Sequence, residues 1–170
     1  MVNREAFTQQ PWFVLLSLFA IALVALFPGI GEVTGITGKD EYLLTIRTPM
    51  HMIEGSHGWL PWLDGLPRLK KPPLLYWLGK ASYELFGVSL TSARIIGVLF
   101  ASTLVIATAA LSLRLHGNLR QAFLSGLMIL GMVGIMIDGR RYLLDIPVAA
   151  LSTLAVLLLL AWDETRSTRW

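Results

Sequence analysis

The sequence predicts an all-α, polytopic membrane protein: four transmembrane helices, with a large first loop, taken as extracytoplasmic, that carries short amphipathic helices. Three observations lead there. The 170 residues are 55% hydrophobic and only 15% charged, with a mean hydropathy of +0.64, whereas soluble domains carry about 25% charged residues. Long apolar runs recur, near the roughly 20 residues that a helix needs to cross a bilayer. Charged and indole side chains gather instead between the first and second runs, from Gly38 to Trp77.

The first span covers residues 12–30. Trp12–Phe27 is almost unbroken apolar sequence closed by Pro28-Gly29, and Trp12 suits the interface. A cleaved signal peptide needs a basic start, a shorter apolar core and a small-residue cleavage site, so a retained helix is preferred. Residues 31–91 form the large loop, too long and too polar to be a mere connection. In it Asp40 and Glu41 precede a short helix over Tyr42–Arg47, disturbed by Pro49 and ended by Glu54-Gly55-Ser56. Trp59 and Trp62 suit the membrane–water boundary. Leu66-Pro67 and Pro72-Pro73 impose extended or turn geometry on the residues before them, and Pro72-Pro73 also suits a helix start. Leu74–Phe86 reads as a surface helix, with Leu74, Leu75, Leu78, Ala81 and Leu85 on one face and Lys80 and Glu84 on another. The remaining spans are 93–113, 121–137 and 143–162, followed by a polar tail. Gly126, Gly131 and Gly134 in the third permit close helix packing. All of this forms a single membrane domain, residues 1–170.

An even number of crossings separates the large loop from the turn at Asp138–Asp145, so Asp40 and Asp145 belong to one face. Basic residues do not orient the chain. Lys39, Arg47, Arg68, Lys70, Lys71 and Lys80 lie in the loop, and Arg4, Arg114, Arg120, Arg166 and Arg169 on the other side. The absence of cysteine excludes disulfides and thiolate metal sites. A net charge of +3, scattered among apolar residues, argues against nucleic acid; membrane lipid with an anionic headgroup is the more natural partner.

Three groups could carry chemistry. Asp40-Glu41 offers a carboxylate that takes a proton from an attacking hydroxyl or amine; it equally offers helix capping. Lys70-Lys71-Pro72-Pro73 offers two ammonium groups for a lipid phosphate, aimed by rigid prolines, or a solvated basic patch. Asp145, beside Arg140 and Arg141, opens an apolar span where an acid needs a partner; it could bind a metal, join Asp40 at an anionic substrate, cap the span or pair with Arg141. His51, His57 and His116 lack metal-ligand spacing. Gly29-Ile30-Gly31 lacks the context of a dinucleotide fingerprint. Polar residues cluster at one face rather than along the spans, which disfavours a transporter or channel.

Taken in order, Asp40-Glu41-Tyr42, Met50, Trp59-Leu60-Pro61, Leu66-Pro67, the run Lys71-Pro72-Pro73-Leu74-Leu75-Tyr76-Trp77-Leu78, Phe86-Gly87 and Ala93-Arg94 resemble the start of the GT-C glycosyltransferases. The nearest branch is the aminoarabinose transferase and dolichyl-phosphate-mannose–protein mannosyltransferase superfamily, and Arg141 to Asp145 resemble its second acidic site. That family has more spans than the four read here, so the chain resembles its amino-terminal part, a truncated GT-C-like unit. Lys70 stands where some relatives have an acid.

The resemblance implies inverting transfer of a sugar from a polyprenyl-phosphate donor to an acceptor of unknown identity. The setting would be the bacterial inner membrane, with the loop on the periplasmic or external side. It implies Asp40, Glu41 and Asp145 as catalytic acids, Glu41 being secondary. It implies Lys71, Lys70, Arg94 and Arg141 as phosphate contacts, and a divalent metal ion at Asp40 and Asp145. The alternative is a non-catalytic lipid-phosphate-binding or assembly subunit of the same descent, joined by a protein partner that supplies the missing helices.

Overall fold

A computed structural model describes residues 11–33, 39–55 and 58–167, with side chains through Asp163. The expected polar start at 1–10, Gly38, Ser56, His57, Arg169 and the side chain of Arg166 lie outside the described residues. Among the described residues the protein is nearly all helix, with one two-stranded hairpin.

The first helix, α1 (Pro11–Leu26), buries Leu18, Ala22 and Leu26, one residue per turn on a single stripe. That stripe packs on α4 (Leu90–His116), the central element, which also contacts α5 (Leu119–Leu130) and α7 (Asp145–Ser167). Val98, Ala101, Val105 and Ala109 of α4 form the middle of the core. Ser89 caps α4: its hydroxyl accepts from Ser92 N–H, and Ser92 Oγ accepts from Ser89 N–H, each at 3.1 Å. The α4 and α7 segments Leu90–His116 and Asp145–Asp163 are long and apolar enough to cross a membrane; α1 and α5 are apolar but shorter.

The third expected span, 121–137, is two helices. α5 stops at Leu130, Met132 takes an extended conformation, and α6 (Val133–Asp138) restarts the helix. Of the three glycines read as packing points, Gly126 alone fills that role. A Cβ there would stand 2.7 Å from Leu18 Cδ1, whereas one on Gly134 would meet nothing within 4 Å. Gly131 lies at the break instead, where its N–H caps Leu127 O.

Between α1 and α4 lies the expected polar region. A π-helical segment, Asp40–Ile46, runs without a break into α2 (Arg47–Glu54). Pro49 does not end this continuous helix, but it supplies no N–H to the ladder; the geometry just before it is π rather than α, and the Thr48 hydroxyl donates to Leu44 O at 2.6 Å. The hairpin pairs β1 (Trp62–Leu63) with β2 (Leu66–Pro67) around Asp64 and Gly65, whose φ values are +50° and +80°. Two successive left-handed residues make the tight turn that matches strand twist.

The helix expected at Leu74–Phe86 is present as α3. Leu75, Tyr76, Gly79, Ser82 and Tyr83 turn inward, while Leu74, Ala81 and Leu85 are exposed. Hydrogen bonds decide this orientation. Ser82 Oγ donates to Ser92 O, Tyr83 hydroxyl donates to Ile46 O at 3.2 Å, and Tyr142 hydroxyl donates to Leu75 O. Such bonds need the polar face inward, and a membrane setting leaves leucines at no disadvantage outside. Lys80 and Glu84 form the expected pair one turn apart, at 3.2 Å.

Gly79 is the closest point of this packing: a Cβ there would lie 2.0 Å from the Tyr142 hydroxyl. Gly79→Ala is expected to destabilise the fold by about 1–3 kcal/mol through overpacking, seen as a lowered midpoint of thermal unfolding in detergent. An unchanged midpoint would show that α3 and Tyr142 are not packed this closely.

Candidate functional site

Asp40, Lys71 and Asp145 come from three separate stretches of chain and line one cavity of ≈ 170 Å³. Asp40 opens the π-helical segment, where its carbonyl accepts the Thr45 hydroxyl at 2.9 Å. Lys71 stands just before the prolines that start α3, and Asp145 is the first residue of α7. Thr45, Arg68 and Tyr76 complete the polar lining, and Leu44, Leu75, Leu143 and Leu144 supply an apolar wall. Leu75 and Leu144 also line a second groove of ≈ 210 Å³, otherwise formed by Pro72, Leu74, Phe100, Pro147, Val148, Leu151 and Ser152. A charged cavity thus shares a wall with an apolar groove along α7.

What turns Asp40 toward the cavity is its neighbour. Glu41 is fully buried and meets Arg94 of α4 in a two-pronged ion pair: Nε to Oε1 at 2.8 Å and Nη2 to Oε2 at 3.0 Å. Arg94 Nη1 also donates to the carbonyls of Ile30 and Glu32, at 3.0 and 3.1 Å. Glu41 Oε1 accepts the Tyr142 N–H at 2.8 Å. Glu41 and Arg94, expected as a secondary catalytic acid and a phosphate contact, thus face each other and are not among the residues lining the cavity. A buried carboxylate left unpaired would be too costly to keep ionised.

Arg141 departs from expectation too. Its guanidinium pairs with Asp138 at 3.2 Å, three residues back, and not with Asp145 or the cavity. Arg140 donates to Pro28 O, tying the end of α1 to the approach to α7. Lys70 is exposed and is not among the cavity's lining residues. Of the four expected phosphate contacts, Lys71 alone faces the cavity.

Arg68 is the cation that the reading of the motifs passes over. It follows β2, its N–H donates to Pro61 O at 2.8 Å, and its Nε donates to the Tyr76 hydroxyl at 2.9 Å. The signal in the sequence is Asp64-Gly65 between two short apolar runs, a hairpin signature that fixes where Arg68 emerges. Around the site, burial holds the Tyr142 phenol well above its ordinary pKa, and burial with the nearby Glu41 charge does the same for Tyr83. Both stay neutral and act as hydrogen-bond donors.

Among the described residues no group of three or more His, Cys, Asp or Glu could hold a metal ion. Asp40 and Asp145 are the two carboxylates that line the cavity.

Because Glu41 is fully buried, Glu41→Ala strands the Arg94 charge. A loss of about 3–5 kcal/mol is expected, checked by unfolding midpoint, with partial recovery in Glu41→Ala/Arg94→Met. No recovery in the double variant would contradict this role.

The sequence profile of the family described as dolichyl-phosphate-mannose-protein mannosyltransferase matches residues 70–170. An uncharacterized protein of Aquifex aeolicus (strain VF5) is 34% identical over 145 residues, covering 83% of this chain and 34% of that protein. A second from the same organism is 31% identical over 115 residues, covering 67% and 22%. The undecaprenyl phosphate-alpha-4-amino-4-deoxy-L-arabinose arabinosyl transferase of Serratia proteamaculans (strain 568) is 30% identical over 134 residues, 79% of this chain and 23% of the enzyme. The chain therefore spans about a third or less of the length of these relatives. No solved structure matches it significantly. With its profile match running from the lysines before α3 through all of α7, the chain belongs to the dolichyl-phosphate-mannose–protein mannosyltransferase family of GT-C membrane glycosyltransferases.

Proposed function

We propose that the cavity is a glycosyltransferase site that passes a sugar from a polyprenyl-phosphate carrier to an extracytoplasmic acceptor, with inversion at the sugar. The observation that carries this reading is the meeting of a cavity holding two acids and two cations with an apolar groove. The two share Leu75 and Leu144. A lipid phosphate has that division of character, a charged head on an apolar chain.

In this reading the chain crosses the membrane four times, α5 and α6 together making the third crossing, and the site lies at the periplasmic or external end. The carrier phosphate sits against Lys71, whose ammonium is a compact positive charge. The acceptor approaches Asp40, which takes its proton as the new bond forms. Asp145 faces the same space from the start of α7 and orients the acceptor or shares a divalent cation with Asp40. When bound, that ion supplies further positive charge to the phosphate oxygens. Cations waiting where phosphate charge develops lower the barrier without reorganisation.

The test is sugar transfer from labelled polyprenyl-phosphate sugar by the protein in lipid nanodiscs. Asp40→Asn is expected to cut turnover by roughly 100-fold or more with little change in KM, the contribution of a positioned base. Lys71→Ala should weaken donor binding as well. Wild-type turnover in both variants would overturn the reading. Donor binding that depends on Lys71, with no turnover in any form, would identify instead a lipid-phosphate-binding subunit of the same descent.

A further inference from the structure

We propose that Arg68 is a second phosphate-binding cation of this site, delivered by the 62–67 hairpin, and that it meets the charge which the carrier phosphate gains on losing its sugar. The inference rests on the glycosyl-transfer reading and adds a residue to it.

The hairpin is held to α2 at its tip. Arg47 Nη2 pairs with Asp64 Oδ1 at 2.5 Å, and His51 Nδ1 accepts the Asp64 N–H at 3.2 Å. Asp64 has φ +50°, which Asp adopts readily in an Asp-Gly hairpin turn, so the turn is well formed as well as anchored. From this anchored turn the chain leads through β2 to Arg68. The guanidinium is then braced by the Tyr76 hydroxyl, and its Cζ lies 5.9 Å from the Tyr76 ring centre. Nε is engaged there, and the two Nη groups, which carry no hydrogen bond among the described residues, remain for a ligand in the cavity that Arg68 lines. Tyr76 is itself buried and belongs to α3, the helix that starts beside Lys71, so the two cations share one rigid support.

The chemistry calls for two cations. A lone pair of the acceptor forms a bond to the sugar's anomeric carbon. The bond from that carbon to the phosphate oxygen breaks and leaves its electron pair on the oxygen, while the acceptor proton passes to the Asp40 carboxylate. The carrier changes from a phosphodiester with one negative charge to a phosphomonoester approaching two, since the second ionisation lies near pH 6. One cation balances the diester; the second is matched to the charge that appears as the bond breaks. A planar guanidinium, with paired donors, suits the two oxygens involved.

The experiment measures binding to the 170-residue chain in phosphatidylcholine nanodiscs at pH 8. The probes are undecaprenyl phosphate, its methyl phosphodiester, undecaprenol and inorganic phosphate. Arg68→Gln is expected to weaken the monoester by roughly 10- to 100-fold, the worth of a charge-assisted hydrogen bond, and the diester distinctly less. Arg68→Lys should recover part of the loss. Asp64→Asn should weaken the monoester severalfold in the otherwise unaltered chain but add nothing to Arg68→Gln, because it acts through Arg68. Full monoester affinity in Arg68→Gln, with binding lost in Lys71→Ala, would overturn the inference and leave the transfer reading standing. Full affinity in both variants would overturn the two together. Inorganic phosphate binding as tightly as the lipid phosphate would mark a free-phosphate site and likewise overturn the assignment.

Discussion

The buried pair of Glu41 and Arg94 is the constraint on which the rest of this structure depends. The two residues are 53 positions apart, and both are withdrawn from solvent. Burying either alone would be prohibitive, so neither the segment before α2 nor the start of α4 reaches its place without the other. The pair also recruits the carbonyls of Ile30 and Glu32 and the N–H of Tyr142. Four stretches of chain thereby meet at one ion pair: the exit of α1, the π-helical segment, the first turns of α4 and the approach to α7. Asp40 precedes Glu41 and Asp145 follows Tyr142 by three residues, so the pair fixes both ends of the acidic lining. Consecutive residues of a helix point in different directions, which lets Glu41 face the interior while Asp40 faces the cavity.

The second organising feature is the way polar and apolar surfaces are divided around α3. Its Gly79, Ser82 and Tyr83 face inward toward Tyr142, Ser92 and Ile46. Its Leu75 separates the charged cavity from the apolar groove while contributing to both. The prolines before α3 set where Lys71 stands, and Tyr76 braces Arg68. One short helix therefore carries the wall between the two compartments and the support for both cations. The π-helical segment opposite it completes the cavity. Local departures of this kind from α geometry often mark functional sites, and here the Thr45 and Thr48 hydroxyls bond to the carbonyls of Asp40 and Leu44.

Much of the fold and part of the site were legible in the residues. The long apolar runs gave the helical, membrane-type architecture, while the caps of α4, Ser89 and Gly117, lie outside the expected bounds 93–113. The break at Gly131–Met132 was not legible, because an apolar run carries no charge to mark an interruption and glycine serves both packing and termination. Which face of α3 turns toward the protein was not legible either: leucines suit lipid as well as a core, and the polar bonds that orient the helix reach partners far away in the chain.

What the sequence determined by itself is chemical identity in order: Asp40, Lys71 and Asp145, set among apolar runs and prolines that leave them near helix ends. What only the tertiary structure decided is which neighbour of each is used. Glu41, beside Asp40, became half of an internal ion pair; Lys70, beside Lys71, faced solvent; and Arg68, brought round by the hairpin at Asp64-Gly65, entered the cavity. The physical reason is that adjacent residues share composition but not direction. Direction comes from long-range pairings such as Glu41 with Arg94, whose free energy depends on burial that no local stretch of sequence contains.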